Sequence, residues 1–393
     1  MLDIVNEIKK ISSDIVRWRR DLHQIPELGL NLPKTIKYVT DVLDNFQIEY
    51  KRMIDGNAIV VLIEGRNKNN VLAIRADMDG LPIKEETNLP FASGNENMHA
   101  CGHDGHTAVL LGVAKVLNDN KELLNGSVKL IFQPGEESPG GALPLINEGV
   151  LDNPKVDAII GMHLGLIDPL LKKGQIGINY GPSMASVDIF KITVIGRGAH
   201  AAYPEQSIDP IAIGSELVTA LHKIVSREIG AVEPVVLSIT KFNGGTAHNI
   251  IPNEVVIEGT IRTVNPNIRE YMAKRVEEVT KGITSSFNGQ YKLDYTRMYP
   301  PLINDKQFTK YFKTVLDKVI PTNQIVELEK PVMSAEDYAY YLEKVPGTFF
   351  FLSNMNKVDG EVYPHHHPKF DIDDSYLSKG VEIFVATALD YLK

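Results

Sequence analysis

Disulfides are excluded at once, because the 393 residues contain a single cysteine, Cys101. The fold must therefore be held by its core, and a reducing cytoplasm is the expected compartment. The first thirty residues lack the basic-then-apolar pattern of a secretory signal. No apolar run approaches the roughly 20 residues that a membrane-crossing helix requires, so no membrane is expected as a partner. Positive charge is also in deficit: 41 Lys and Arg against 50 Asp and Glu leave a net charge of -9. That balance argues against nucleic acid as a partner. Nothing suggests repeats or low complexity, and the glycosylation-like triplet at Asn125 is expected as a turn before a strand.

What the chain does have is 43% hydrophobic residues over a length that exceeds one typical core, so two domains are expected. It also has one unusually reactive stretch, Met98-His99-Ala-Cys101-Gly-His103-Asp104-Gly-His106-Thr107, followed by the apolar helical run 108–117. A thiolate and a neutral imidazole suit a borderline-soft divalent ion, and the glycines let the backbone turn tightly around it. Asp104 is placed to cap the helix, and the helix N-terminus is expected to favour Cys101 as thiolate.

Helices are expected over 2–23, 33–46 and at the C-terminus, with a strand pair at 48–53 and 58–64 and a polar turn at 65–70. Three short apolar strands then carry the argument. Residues 71–74 run into Asp77 and Asp79, 128–132 into Glu136 and Glu137, and 156–160 into His163. In open α/β sheets ligands sit beyond the carboxyl ends of the strands, so these groups can converge on the Cys101 loop. Beyond Gly181 a strand at 186–197, a long helix at 208–229, strands at 235–242 and 255–264, a helix at 267–285 and a strand at 291–297 give a β-α-β-β-α-β order. The expected fold is α/β: a mixed-sheet metal-binding catalytic domain with helices on both faces (1–182 and 299–393), carrying an inserted ferredoxin-like α+β domain (183–298).

Adjacent glutamates usually form a solvated pair. After a buried strand, however, Glu136 and Glu137 can divide the labour, one ligating metal and the other taking the proton of an attacking water. Asp77 and Asp79 either pair with Arg75 or orient histidine ligands. His163 stands at a strand end, and the run His365-His366-His367 lies inside folded sequence, so a ligand is expected among the three. His200 sits in a glycine-rich turn. Arg262 lies on an otherwise apolar strand and wants a carboxylate, from protein or substrate.

Assembled in order, these motifs, with Arg19-Arg-Asp-Leu-His-Gln-Ile-Pro-Glu-Leu-Gly29, Arg75-Ala-Asp-Met-Asp-Gly-Leu-Pro82, Phe132-Gln-Pro-Gly-Glu-Glu137, Gly259-Thr-Ile-Arg262 and Tyr299-Pro-Pro301, make the chain resemble the M20 metallopeptidase superfamily over nearly its whole length. The resemblance is to the amidohydrolase branch of hippurate hydrolases, auxin-conjugate hydrolases and N-acetyldiaminopimelate deacetylases. It implies two divalent metal ions, of the Zn, Mn, Co or Ni type, held by Cys101, His103, Glu137, His163 and His366, the last chosen by counting back from Pro368. It further implies Glu136 as general base, His200 polarising the scissile carbonyl, sometimes across a homodimer formed by the inserted domain, and Asn249 and Arg262 binding a substrate carboxylate. The implied substrate is a small N-acyl amino acid. The chain departs from the family pattern in having His365 where leucine is usual and Asp374 where glutamate is usual.

Overall fold

Helix α1 (Ile4–His23) forms because Ile8, Ile15, Trp18 and Leu22 recur at helical spacing and bury one stripe, while Asp3 caps its first turn. The computed structural model describes residues 2–67 and 70–393, so Lys68 and Asn69 of the expected 65–70 turn lie outside the described residues. After α1 come α2 (Pro33–Asn45), β1 (Tyr50–Met53), β2 (Ala58–Glu64), β3 (Val71–Asp77), α3 (His103–Asp119), β4 (Ser127–Gln133), α4 (Ala142–Asn147), β5 (Ala158–Leu164) and β6 (Ile176–Ile178). There follow β7 (Pro182–Met184), β8 (Asp188–Ile195), β9 (Ala199–His200), α5 (Pro210–Lys223), β10 (Val235–Gly244), β11 (Ile250–Ile251), β12 (Glu254–Thr263), α6 (Pro266–Ser286), β13 (Gln290–Arg297) and β14 (Leu302–Ile303). The chain closes with α7 (Lys306–Val319), β15 (Ile325–Glu327), α8 (Ala339–Leu342), β16 (Gly347–Leu352) and α9 (Leu377–Tyr391).

Two compact units result. The first comprises Met1–Gly181, Asn304–Lys330 and Asp337–Lys393; the second comprises Pro182–Ile303 and Pro331–Glu336. Residues 299–303 join the second unit because β14 pairs with β7.

In the first unit an eight-stranded mixed sheet runs β1-β2-β4-β3-β5-β16-β6-β15. β3 lies between β4 and β5, parallel to both, so the chain leaves β3 toward one neighbour and crosses to the other. That reversal creates a crevice at the carboxyl ends of the three strands. Leu72, Ile74 and Ala76, with Val128, Leu130 and Phe132 and with Ile160, Met162 and Leu164, join a core shared with α1, α3 and α9. Because side chains alternate, Arg75, Asp77, Gln133 and His163 point to the opposite face. There Gln133 accepts a hydrogen bond from the hydroxyl of Tyr341 in α8. The strands accordingly run past their apolar stretches, and His163 lies inside β5 rather than after it. Each terminal polar residue stays in the strand because the second face buries it too.

The second unit contains an antiparallel sheet ordered β10-β12-β8-β13, on which α5 and α6 pack through Leu217, Leu221, Met272 and Val276. The long helix expected over 208–229 is shorter. α5 starts after Asp209, whose carboxylate caps it, and gives way at Ile224 to a wider π-type turn.

A buried polar network locks the second face of the large sheet. Asp337 accepts from Arg75 Nη2 at 2.6 Å, from Gln133 Nε2 at 2.8 Å and from the backbone N–H groups of Gly141 and Ala142 at 2.9 Å each. Removing that carboxylate leaves a buried guanidinium short of its counter-charge. Asp337→Ala should therefore destabilise the first unit by about 3–5 kcal/mol. The fluorescence of Trp18, buried in that unit, reads the loss as a lower urea midpoint.

Candidate active site

The crevice gathers the chemistry-bearing residues of the first unit. Cys101 precedes α3, and its Sγ lies 3.5 Å from His163 Nε2 at the end of β5. The His163 tautomer follows from its other nitrogen. Nδ1 stands 2.7 Å from the Leu164 carbonyl, which can only accept, so Nδ1 carries the proton and Nε2 presents its lone pair to the sulfur side. Burial first, and then His106 and His365, hold the His163 imidazole well below its usual pKa, so it is neutral.

His103 and His106 sit one turn apart on α3 and share a face, yet their environments differ. His106 donates from Nδ1 to Asp77 Oδ1 at 2.6 Å and accepts the Leu164 N–H at Nε2 at 2.9 Å. Both nitrogens are used. His103 is fully buried with no hydrogen bond to either nitrogen. Its ring is instead ringed by carboxylates at ion-pair distances: Asp79 at 3.4 Å, Asp77 at 3.7 Å and Glu136 at 4.0 Å. Burial opposes the charged form, but Asp77 and Asp79 outweigh it and push His103 up to about 10. The site thus pulls a proton onto a buried imidazole to balance its own negative charge.

Asp79 does more than face His103. Its two oxygens accept the backbone N–H groups of Glu136 and Glu137 at 2.9 and 3.0 Å, which fixes the direction in which both side chains leave the loop after β4. Asp77 is held by Arg75 at 2.7 Å, and although burial alone would raise its carboxyl, His103, Arg75 and His106 hold it well below the usual range. Asp77 therefore pairs with Arg75 and also faces two histidines.

The run at 365–367 splits three ways. His366 has a left-handed backbone (φ 64°), donates its N–H to Ala100 O at 2.8 Å, and places Nε2 3.2 Å from Glu137 Oε1. His365 lies on the other flank, with Nδ1 3.7 Å from Cys101 Sγ. His367 turns away, stacking on Tyr363 at 4.5 Å and accepting the Lys369 N–H.

Two expectations about the Cys101 loop fail. Asp104 does not cap α3. The N-cap is Gly102, in a left-handed conformation at φ 89°, and the Asp104 carboxylate is taken by Arg19 at 2.8 Å and His23 at 2.7 Å. The thiol is not eased toward thiolate either. Burial pushes the Cys101 pKa well up, and Glu137, Glu136 and Asp77 push it further.

These features fit a divalent cation. Donor atoms lie within 4.8 Å of one another in each of the groups Cys101/Glu137/His366, His103/Glu136/Glu137, Cys101/His163/His365 and Asp77/His103/His106. Buried His103 Nδ1 and Nε2 and His365 Nε2 lack hydrogen-bond partners, which is the expected state of atoms that serve an ion rather than the protein. Sequence reasoning missed the roles of His106, Gln133 and Asp337. Only the position of His106, three residues after His103 on one helix face, carried a signal.

The second unit holds the other predicted residues. His200 is exposed on β9, which pairs with β11 just after Asn249, and the Asn249 carbonyl accepts the Ala201 N–H. Arg262 is half-buried near the far end of β12, opposite Val236. The eight residue steps from Glu254 to Arg262 span roughly 26 Å, so one copy of this unit does not bring Arg262 to His200 and Asn249. No hydrogen bond or ion pair engages the Arg262 side chain among the described residues, and burial lowers its pKa.

Comparison with known proteins gives the class. Residues 73–390 match the model of peptidase family M20/M25/M40. The chain is 45% identical over 305 residues to an N-acyl-L-amino acid amidohydrolase of Geobacillus stearothermophilus, covering 77% of this chain and 81% of that one. It is 38% identical over 373 residues to an N-acetyl-L-cysteine deacetylase of Bacillus subtilis (strain 168), covering 95% and 86%. A solved Bacillus subtilis structure, described as a dinuclear metal binding peptidase from the M20 family, superposes with a TM-score of 0.84 at 35% identity over 98% of this chain and 99% of that one. The chain belongs to peptidase family M20/M25/M40. It is a metal-dependent hydrolase of amide bonds.

The Asp79 clamp yields a test. Asp79→Ala should weaken divalent-metal binding by about 10- to 100-fold while secondary structure is kept, because it frees the backbone that aims Glu136 and Glu137. Competition against a chromophoric chelator measures it.

Proposed function

We propose that the chain hydrolyses the amide bond of N-acyl amino acids, using two divalent ions held by Cys101, His103, Glu137, His163 and His366. The observation that carries this reading is the cluster of donor atoms around Cys101 and His103, with a second carboxylate, Glu136, beside it to transfer a proton. Ions of this kind supply Lewis acidity toward an amide carbonyl and lower the pKa of water. The donor set of thiolate, imidazole and carboxylate suits Zn, Co or Ni and admits Mn. The compartment proposed is the cytoplasm; among the described residues no helix is long and apolar enough to cross a membrane.

Glu136, buried and 4.0 Å from the His103 ring, takes the proton of the attacking water and returns it to the leaving amine. Asp77 and Asp79 fix the directions of His103 and of the glutamate pair. His200 donates to the developing oxyanion, and Asn249 and Arg262 bind the substrate carboxylate. The separation of Arg262 from His200 and Asn249 supports a homodimer in which two protomers contribute to one substrate site. An exposed edge strand, β10, with Val236 and Phe242 on its surface, suits pairing of two copies.

The test is amine release by metal-reconstituted protein from N-acetyl, N-benzoyl and diaminopimelate derivatives and from dipeptides. A dominant acylated amino acid is expected. Preference for dipeptides would move the assignment to a dipeptidase or carboxypeptidase, and preference for the diaminopimelate derivative would narrow it to a biosynthetic deacetylase. Glu136→Ala should lower kcat at least about 100-fold, the lower range of a general-base contribution, with metal content unchanged. Activity within about tenfold of wild type, about 1.4 kcal/mol of barrier, overturns the base assignment. Arg262→Ala should raise KM for an N-acyl amino acid about tenfold or more and leave the corresponding carboxamide substrate little affected. Equal losses on both substrates would count against a carboxylate contact.

A further inference from the structure

We propose that His365 is a metal ligand in its own right, forming with Cys101 and His163 one of two ion sites that share the Cys101 sulfur. The proposal rests on the two-metal reading above and adds to it a sixth ligand that the family resemblance does not supply.

The geometry around the sulfur is two-sided. On one side are His163 Nε2 at 3.5 Å and His365 Nδ1 at 3.7 Å. On the other are Glu137 and His366, 3.2 Å apart. Each side, taken with Sγ, places three donor atoms within 4.8 Å of one another. Cys101 is therefore the common vertex of two triads, and consecutive histidines serve opposite sides of it.

The His365 ring is fixed in place. Its centroid lies 4.6 Å from Phe370 and 5.1 Å from His163, the latter nearly perpendicular at 80°. Its other edge rests on the backbone of Gly165, where a Cβ would come within 2.4 Å of Cε1 and Nε2. Gly165 also has φ 93°, so glycine is required there twice over. A slot shaped so closely would hold a leucine with no polar atom to bury. Instead it holds an imidazole whose buried Nε2 has no hydrogen-bond partner. That edge is closed off by the Gly165 backbone, which leaves Nδ1, on the sulfur side, as the nitrogen that an ion can reach.

The donor sets differ in kind. Cys101, His163 and His365 offer one sulfur and two imidazoles, a softer set than Cys101, Glu137 and His366, whose carboxylate also accepts harder ions. The two sites should then be distinguishable by metal.

The test uses the full chain, stripped of metal and titrated with Co2+, in wild type, His365→Leu, His365→Asn and His366→Leu, each checked by circular dichroism. Leucine fills the ring slot without a donor; asparagine keeps a polar side chain but is a poor ligand. Absorbance in the visible and in the thiolate-to-cobalt band follows occupancy, and Zn2+ competition gives affinities. The expected result is two equivalents bound by wild type, with one of them weakened at least tenfold in both His365 variants and a changed cobalt spectrum for that equivalent. His366→Leu should weaken the other equivalent. Two equivalents of unchanged affinity and spectrum in a folded His365 variant would overturn the proposal while leaving the two-metal reading intact. Fewer than two equivalents in wild type would overturn that reading itself, and this proposal with it.

Discussion

The first unit is arranged around an excess of negative charge placed where water cannot reach it. Asp77, Asp79 and Glu136 are buried, and Glu137 is nearly so. Arg75 neutralises part of this by bridging Asp77 and Asp337 from the second face of the sheet. What remains is met by a proton drawn onto His103, a poor arrangement for a buried imidazole without hydrogen bonds and a good one for a place that exchanges the proton for a cation. Charge excess and metal affinity are thus one property, and the surrounding hydrogen bonds exist to keep the carboxylates from relaxing toward other partners.

A second buried network stands behind the first and has a different task. Arg19 pairs with Asp104, Asp371 and Asp374, and His23 bridges Asp104 to Glu85. Here each carboxylate has a basic partner, and the Asp104 carboxyl is held well below its usual range: burial opposes, but Arg19 and His23 prevail. The consequence is mechanical. Asp104 is the residue after His103, and anchoring it to α1 sets the rotation of α3 about its axis, which aims the His103 ring at the carboxylates. Asp374, at the position that departs from the family pattern, keeps this role through Arg19 and Arg20.

Much of this was legible in the sequence, and the failures share one cause. Apolar runs located β3, β4 and β5, and the clustering of Cys101 with histidines located the crevice, since both are local signals. The strand ends were read short because polar residues such as Arg75 and Gln133 look solvated in sequence. They are instead paired with Asp337, more than 200 positions away in the chain. The capping role given to Asp104 failed for the same reason: its partner Arg19 lies 85 residues earlier. Local rules award a carboxylate to the nearest helix end, whereas tertiary structure awards it to the strongest buried cation. Asp79 was placed among residues that orient ligands, but that it does so through backbone N–H groups of the glutamate pair is a matter of loop geometry that residue types do not encode.

The histidines show why residue type alone could not finish the assignment. Seven imidazoles lie within the two histidine-bearing stretches and β5: His99, His103, His106, His163, His365, His366 and His367. They differ in what their nitrogens already hold. His106 has both engaged by protein and so is a strut between Asp77 and β5. His367 spends one on the Lys369 N–H and lies on Tyr363. His163 has one fixed by a carbonyl, which commits the other to the sulfur side. A ligand is thus a histidine whose second nitrogen the fold has left unspent in a place where water cannot satisfy it. His99 shows that this condition is necessary and not sufficient: it is buried with both nitrogens bare, but it faces His23 and the Arg19 ion-pair network, and burial lowers its pKa to about 4. Where bare nitrogens meet unbalanced carboxylates or the Cys101 sulfur the physical requirements of a metal centre coincide, and among the described residues they coincide at the carboxyl ends of β3, β4 and β5.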